Sequence, residues 1–165
     1  MELCMSILRW LRASFDSAKD IDGVMSLYAP NIVSFDIVPP LRYVGADNKR
    51  RAWQEVFAAY TGPFAYEVRD LNVTTHGELA FVHGLNHVNG TLASGHITDL
   101  WLRWTACFRR IDGVWLVVHD HVSVPAELEH GQAVVNLTPW ALEPAWKTRL
   151  TYSVKIVDFL LRKST

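Results

Sequence analysis

The sequence predicts an α+β fold in which helices pack on one face of a mainly antiparallel sheet. Apolar residues recur every three or four positions near the start of the chain, which is typical of amphipathic helices. From Leu79 onward the chain has long segments rich in Val, Ile, Thr, Trp and Phe, residues that suit a pleated, half-buried surface. Helices early and strands late favour α+β over alternating α/β architecture.

Three long strands are predicted in the second half of the chain, at Leu79–Asn89, Ile97–Ile111 and Val114–Pro125. Asp112-Gly113 joins the last two, and this dipeptide is common in tight hairpins because both residues tolerate positive φ. The strands are longer than the usual five or six residues. A long twisted sheet with polar residues among its apolar ones suggests a curved sheet that encloses a cavity.

In the first half of the chain, the sequence predicts helices and strands that cover this sheet. The second aspartate of Asp20-Ile21-Asp22-Gly23 is the expected cap of a short helix. The predicted elements are helices at Leu3–Ser17 and Val24–Tyr28, a strand at Ile32–Val38, a helix at Asn48–Tyr60 and a strand at Tyr66–Thr75.

Composition excludes several functional classes. The 165 residues predict one main domain, and a net charge of −1 with scattered basic residues argues against nucleic-acid binding. Cys4 and Cys107 have no metal-ligand spacing, and no phosphate-binding glycine loop is present. No apolar run reaches the length of a membrane span, and the first residues do not resemble a signal peptide. We therefore expect a cytoplasmic protein that needs no cofactor or metal.

The sequence predicts an extension that follows the domain at the end of the chain. We expect the domain over residues 1–139 and the extension over 140–165, where helical periodicity returns weakly. Trp140, Trp146 and Phe159 would be costly to expose to water, which favours packing on the body or on a partner subunit. A partly disordered extension is the alternative.

Three stretches, Leu27–Asp36, Trp101–Arg110 and Gly113–Pro125, carry a family resemblance. They resemble the SnoaL-like and ketosteroid isomerase-like proteins of the nuclear transport factor 2-like superfamily, over roughly residues 8–138. The third stretch has a Trp in the hairpin and His-x-His-x-Ser at the strand end. The resemblance implies a cone-shaped α+β barrel, in which a strongly bent antiparallel or mixed sheet wraps around N-terminal helices and an internal pocket. It also implies a homodimer formed through the outer face of the sheet.

Asp36 falls where, by this resemblance, ketosteroid isomerases carry their general base. A carboxylate in an apolar pocket can move a proton between carbons beside a carbonyl. The oxyanion-binding residues of that family are not matched, because their positions fall near Arg12 and near Thr105 or Ala106. Steroid isomerisation is therefore not expected. Alternatively, Asp36 is a strand-end residue that binds backbone amides beside Pro39.

His83 and His87 are the other candidate catalytic residues. Alternation places them on one strand face with Leu85, and the resemblance implies that this face lines the pocket. With Asp36 they would form a polar cluster that orients or polarises a substrate. Alternatively, each histidine satisfies a buried carbonyl group. The residues predicted to line the pocket and bind substrate are Trp53, Tyr60, Leu85, Trp104 and Asp120.

The His119-Asp120-His121 stretch places its residues on two faces. Asp120 is predicted to point inward with Leu116, Val118 and Val122, whereas a β-bulge would exchange these faces. A zinc site at the two histidines, completed by Asp99 or His96, is a weaker alternative. The outer face, through which a dimer is expected, is predicted to carry Trp101, Arg103, Thr105, Trp115, His119 and His121.

Two functional hypotheses follow. In the first, the protein binds a small, mostly apolar molecule with a carbonyl or hydroxyl group and performs cofactor-free isomerisation, cyclisation, dehydration or epoxide opening with Asp36 as the acid/base. In the second, it is a non-catalytic binding or oligomerisation module, since fold alone does not decide function. An elevated pKa at Asp36 would favour the enzyme, and a salt-bridged Asp36 the module.

Overall fold

The computed structural model describes residues 19–62 and 65–140. The predicted helix at Leu3–Ser17 and nearly all of the predicted extension lie outside these residues. The helices are α1 (Ile21–Met25) and α2 (Ala46–Ala59). The strands are β1 (Tyr28–Phe35), β2 (Tyr43–Val44), β3 (Ala65–His76), β4 (Leu79–Thr91), β5 (Ile97–Ile111), β6 (Val114–Ser123), β7 (Ala126–Glu127) and β8 (Gln132–Ala133).

Six strands form one curled, open sheet in the order β2-β1-β6-β5-β4-β3. Strands β3 to β6 make an antiparallel meander, whereas β1 pairs parallel with β6 and antiparallel with β2. Helix α2 follows β2 and packs against β1. The α+β class and the bent, mixed sheet predicted from the sequence are therefore confirmed.

The predicted boundaries are closest in the hairpin strands. Strand β5 has the predicted bounds, and β6 ends two residues before the predicted Pro125. Helix α1 begins three residues earlier than predicted, because Asp20 rather than Asp22 is its cap: Asp20 Oδ1 accepts from the Gly23 amide at 2.9 Å. Asp22 instead pairs with Arg50 at 2.7 Å.

The segment after β6 contains a feature that the sequence did not predict. Residues 126–138 include the short hairpin β7–β8, which is not among the predicted strands. Both strands of this hairpin are exposed. No helix within the described ranges is both long and apolar enough to cross a membrane.

The inner face of the sheet carries the core. In β4 and β5 the even-numbered residues face inward, and they include Val82, Asn86, Trp104 and Phe108. In β6 a bulge at Val118 breaks this alternation, because Cys107 lies opposite His119 while Phe108 lies opposite Val117. The buried residues of β6 are therefore Trp115, Val117 and Asp120.

A second irregularity bends the sheet at β3. The register with β4 shifts between Arg69 and Asn72, and Asp70 has a φ of 52°. At this point β3 lies close over Gly84, where an added Cβ would come within 2.9 Å of the Arg69 carbonyl oxygen. Glycine is therefore required at position 84 so that the two strands can approach closely at the bend.

Candidate functional site

A buried lysine lies at the centre of the polar interior. The Lys49 side chain projects from the first turn of α2 and is almost completely buried. Its Nζ atom lies 3.2 Å from Asp120 Oδ2 and 3.3 Å from Asp36 Oδ2, and it donates to Ser34 Oγ at 2.8 Å. We refer to Asp36, Lys49 and Asp120 as the acid–lysine cluster.

Three separate elements bring this cluster together. The parallel pairing of β1 and β6 sets Ser34 directly opposite Asp120, with both side chains facing inward. Asp36 comes two residues after Ser34 and therefore leaves the chain on the same side. Lys49 lies one turn before Trp53 on α2, so it shares the helix face that packs on the sheet.

Aromatic side chains complete the walls around Lys49. The Tyr28 hydroxyl donates to Asp120 Oδ2 at 3.0 Å, and Trp53 Nε1 donates to the Tyr28 hydroxyl at 3.3 Å. The Lys49 ammonium lies 5.8 Å from the centroid of each of these two rings, within range of a cation–π attraction. Lys49 is thus surrounded by aromatic rings and by a few directed polar groups.

The electrostatic surroundings keep Lys49 protonated. Burial alone lowers the pKa of Lys49, but the charges of Asp120 and Asp36 and their hydrogen bonds raise it by more, so the net pKa lies above its ordinary value. An amine held in this way cannot act as a nucleophile near neutral pH. The lysine therefore serves as a fixed positive charge and a hydrogen-bond donor.

Two buried acceptors in this interior have no hydrogen-bond partner within the part of the chain that the structure describes: Asp120 Oδ1 and Asn86 Oδ1. Asn86 Nδ2 donates to the Tyr66 hydroxyl. Burial raises the pKa of Tyr66, and Asp120 and Asp36 raise it further. The charges of both carboxylates therefore reach across the interior to β3.

Asp36 is the most accessible member of the acid–lysine cluster. Its side chain is 20% exposed, against 3% for each of the other two. Asp36 Oδ1 accepts from the Ile37 amide at 2.8 Å, so the residue also has the backbone contact expected of a strand-end aspartate. The alternative interpretation, a strand-end aspartate that binds a backbone amide, thus describes part of its environment. Its partial exposure distinguishes it from Lys49 and Asp120, which are almost completely buried.

The predicted substrate-binding residues divide between two faces. Asp120, Trp53 and Trp104 lie on the inner side, as predicted. Tyr60 follows the end of α2, and its hydroxyl lies 3.2 Å from Thr98 Oγ1. Leu85 is on the outer face of the sheet, so its predicted place in the pocket is wrong.

His83 and His87 also lie on the outer face, and the prediction that they join Asp36 is wrong. In the antiparallel register His83 is opposite Thr105, and Leu85 is opposite Arg103. Directly opposed residues share a face, so the histidines lie with the exposed residues of β5. The pairing register decides this assignment, and alternation within β4 alone permits either face.

The histidines of β6 lie on the outer face, as predicted. The ring nitrogen His119 Nδ1 lies 2.7 Å from the Val33 carbonyl oxygen, and both His119 and His121 contact the Phe35 ring edge-on. Asp99 instead pairs with His87 at 2.5 Å, so the suggested zinc ligands do not converge. The prediction that Trp115 lies on this outer face is wrong, because Trp115 is buried in the core. The bulge at Val118 reverses the alternation, so the odd-numbered residues before it face inward.

The metal-ligand types that do converge, within the described ranges, lie elsewhere. The ligand atoms of Glu127, Glu129 and His130 lie within 4.8 Å of one another beside the exposed β7–β8 hairpin. A surface cleft of about 350 Å³ lies between β2 and the outer side of α2, near Arg42 and Arg51. Its lining contains no member of the acid–lysine cluster, so we do not take it as the candidate site.

Sequence analysis missed the residue at the centre of the site. Lys49 lies four positions before Trp53, a predicted pocket residue, and therefore shares its face of the helix. That spacing was an available signal, but lysine is rarely buried without ionic partners, and those partners come from distant strands. Tyr28, Ser34, Tyr66 and Asn86 were also missed, since each reads as an ordinary strand or turn residue.

Comparison with known proteins identifies the family. The SnoaL-like domain family matches residues 7–127. An NTF2-like protein of unknown function from Pseudomonas putida KT2440 is 33% identical, with a TM-score of 0.75 over 84% of this chain and 94% of that chain. Comparison with curated proteins gives no match.

Two further solved structures share the fold at lower identity. A ketosteroid isomerase-like protein from Erwinia carotovora atroseptica SCRI1043 is 23% identical, with a TM-score of 0.63 over 74% of this chain and 92% of that chain. A candidate dehydratase of the NTF2-like family from Streptomyces avermitilis is 16% identical, with a TM-score of 0.63 over 74% and 93%. Since the matched domain spans most of the sequence, the chain belongs to the family of SnoaL-like domains, within the NTF2-like superfamily.

Proposed function

We propose that the protein binds a small, mostly apolar organic molecule against the acid–lysine cluster and moves a proton on it, with Asp36 as the acid/base. The observation that carries this proposal is the placement of Lys49 between two carboxylates in the interior. Sites that shift protons place paired carboxylates of unequal exposure beside a substrate, so that one reacts and the other holds charge.

Asp36 acts in a simple proton cycle. Its carboxylate takes a proton from a carbon beside a carbonyl, which leaves an enolate and a neutral acid. The acid then returns the proton to another carbon, which gives isomerisation, or donates it to a departing hydroxyl, which gives water. Neither route needs a redox partner.

Lys49 and Asp120 support this cycle without entering it. The Lys49 ammonium stabilises negative charge on an enolate oxygen next to Asp36, because a fixed charge in a low-dielectric interior is worth more than one in water. Asp120 forms a second ion pair with the ammonium and accepts a hydrogen bond from the Tyr28 hydroxyl. The solved structures include a ketosteroid isomerase-like protein and a candidate dehydratase, and at their identities they support only the fold.

A second candidate function is a non-catalytic binding or oligomerisation module. The observation that favours it is the direct ion pair between Asp36 and Lys49, because a salt-bridged Asp36 is the arrangement that the sequence analysis assigned to the module rather than to the enzyme. In this case the outer face carries the function, and two copies associate through Trp101, Arg103, Thr105, His119 and His121.

Deuterium exchange separates the two candidates. The protein is incubated in D₂O with the neutral ketone 2-tetralone, and loss of the α-proton signals is followed by NMR. We expect the wild-type protein to accelerate exchange, and Asp36→Asn to reduce that acceleration about 10²-fold or more, the usual contribution of a positioned base. Folding of each variant is checked by thermal unfolding.

Asp22→Asn is the matched control, because Asp22 is an exposed aspartate in an ion pair with Arg50, on α1. It should exchange the ketone protons at the wild-type rate. Exchange by the wild type at the rate of buffer, or an unchanged rate in Asp36→Asn, would contradict the enzymatic proposal and leave the binding module.

A further inference from the structure

One buried carboxylate oxygen of the acid–lysine cluster lacks a hydrogen-bond donor among the described residues. The Asp120 carboxylate contacts Tyr28 and Lys49 through Oδ2. This oxygen accepts a hydrogen bond from the Tyr28 hydroxyl at 3.0 Å and lies 3.2 Å from Lys49 Nζ. Asp120 Oδ1 is buried and has no hydrogen-bond partner among the residues that the structure describes. A buried acceptor left without a donor loses its hydration free energy, so such atoms in native proteins are matched by a ligand or by water.

We propose that the ligand presents an uncharged hydroxyl group to Asp120 Oδ1, and that the site selects hydroxyl-bearing molecules over ethers and carboxylates. This inference rests on the binding part of the proposed function, but not on the proton transfer. It names the hydrogen-bonding class of the ligand at the same site.

The charge of the site supports an uncharged donor. The acid–lysine cluster holds two carboxylates and a single ammonium, so with all three ionised it has a net charge of −1. A further anion would be repelled at close range, where the low dielectric strengthens the repulsion. A hydroxyl group instead supplies the missing donor at no cost in charge.

Asn86 adds a second buried acceptor on β4, which is separated from β6 by β5 in the sheet. Its side chain is fully buried, and Nδ2 donates to the Tyr66 hydroxyl, which leaves Oδ1 without a partner within the described ranges. Burial raises the pKa of Tyr66, and the charges of Asp120 and Asp36 raise it further, so both carboxylates act on the hydrogen-bond partner of Asn86. Both unpartnered atoms are acceptors, so a hydrogen-bond donor is the group that can satisfy either of them.

Three probes of one size test the selection. Phenol has a donor, anisole replaces it with an ether, and benzoate replaces it with an anion. Binding of each is measured by ligand-observed NMR on the full chain at neutral pH. We expect phenol to bind about tenfold or more tightly than anisole, the usual effect of a hydrogen bond to a charged group, and benzoate to show no binding.

Asp120→Asn supplies the matched variant. Its amide oxygen can keep the contacts to Lys49 and Tyr28, and its NH₂ group then replaces Oδ1 with a donor. Phenol should lose its advantage over anisole, and benzoate should bind detectably, whereas the exposed Asp22→Asn variant should keep the wild-type order. If Asp120→Asn does not fold, the order of the three probes on the wild-type protein decides alone.

Equal binding of phenol and anisole, preferred binding of benzoate, or binding of no probe would overturn the inference and leave Asp120 Oδ1 to water alone. Failure of the proposed function has a different signature. A preference for phenol without deuterium exchange would support the hydroxyl-bearing ligand class and contradict the enzymatic proposal. Deuterium exchange without a preference for phenol would support the enzymatic proposal and contradict the ligand class.

Discussion

Two regions of this molecule have a basic side chain close to two carboxylates, one region in the interior and the other at the surface. In the acid–lysine cluster, Lys49 lies between Asp36 and Asp120 on the inner side of the sheet. On the outer face, His87 lies between two carboxylates, with Nε2 at 2.5 Å from Asp99 and Nδ1 at 3.9 Å from Glu67. We refer to these three residues as the outer cluster.

Burial is the difference between the two regions. The Lys49 side chain is 3% exposed, whereas that of His87 is 25% exposed and that of Asp99 is 66% exposed. Water screens the outer charges and replaces any contact that is lost, so exposed pairs contribute little. The inner charges have no such replacement, and the loss of one leaves the others unpaired in a low dielectric. The same geometry therefore carries different energetic weight.

The largest expected effect comes from removing the inner cation. Lys49→Met leaves two carboxylates without their shared partner, so the free energy of unfolding should fall by about 3–5 kcal/mol. Urea unfolding followed by tryptophan fluorescence measures this change. The double variant Lys49→Met/Asp120→Asn should recover part of the loss, because one of the unpaired charges is also removed. A loss below about 1 kcal/mol in the single variant would mean that the inner pair behaves like a surface pair.

Alkaline pH tests the same contact without changing size or shape. The folded-state pKa of Lys49 is raised above its unfolded value of about 10.4, so its contribution to stability is complete below that pH. The contribution should disappear as the pH rises through the higher folded-state pKa. The urea midpoint of the wild-type protein should therefore decline steeply above about pH 10.

Two variants identify the group that titrates. Lys49→Arg keeps its charge throughout this pH range, so its midpoint should decline less steeply than that of the wild type. The raised pKa of Tyr66 gives a decline of the same sign, and Tyr66→Phe removes that contribution. A wild-type midpoint that stays constant to pH values well above the ordinary lysine pKa would contradict the assignment to Lys49.

The smallest effect is expected at the outer cluster. His87→Gln removes the imidazole that pairs with Asp99 and stacks on Trp101, with ring centroids 4.5 Å apart. The free energy of unfolding should change by no more than about 1 kcal/mol, because glutamine can still donate to Asp99 and water can replace the rest. Urea unfolding under the same conditions gives the comparison. A loss as large as that of Lys49→Met would remove burial as the explanation of the difference.

The sequence by itself determined the class of fold and much of its outline. Alternation and the Asp112-Gly113 turn predicted the bounds of β5 and the start of β6, because hairpin signals are local. Alternation predicted the inward direction of Asp120, whereas the position of Asp36 followed from the family resemblance. The predicted SnoaL-like resemblance is also confirmed by the family match.

Only the tertiary structure decided which residues meet. The face of His83 and His87 depends on the pairing of β4 with β5, and the face of Trp115 depends on the bulge at Val118. Lys49 could not be assigned from its surroundings in the chain, since a lysine is stable inside a protein only where distant carboxylates reach it. Asp36 and Asp120 come from two strands that are far apart in sequence and parallel in space, so the site exists only once those strands have paired.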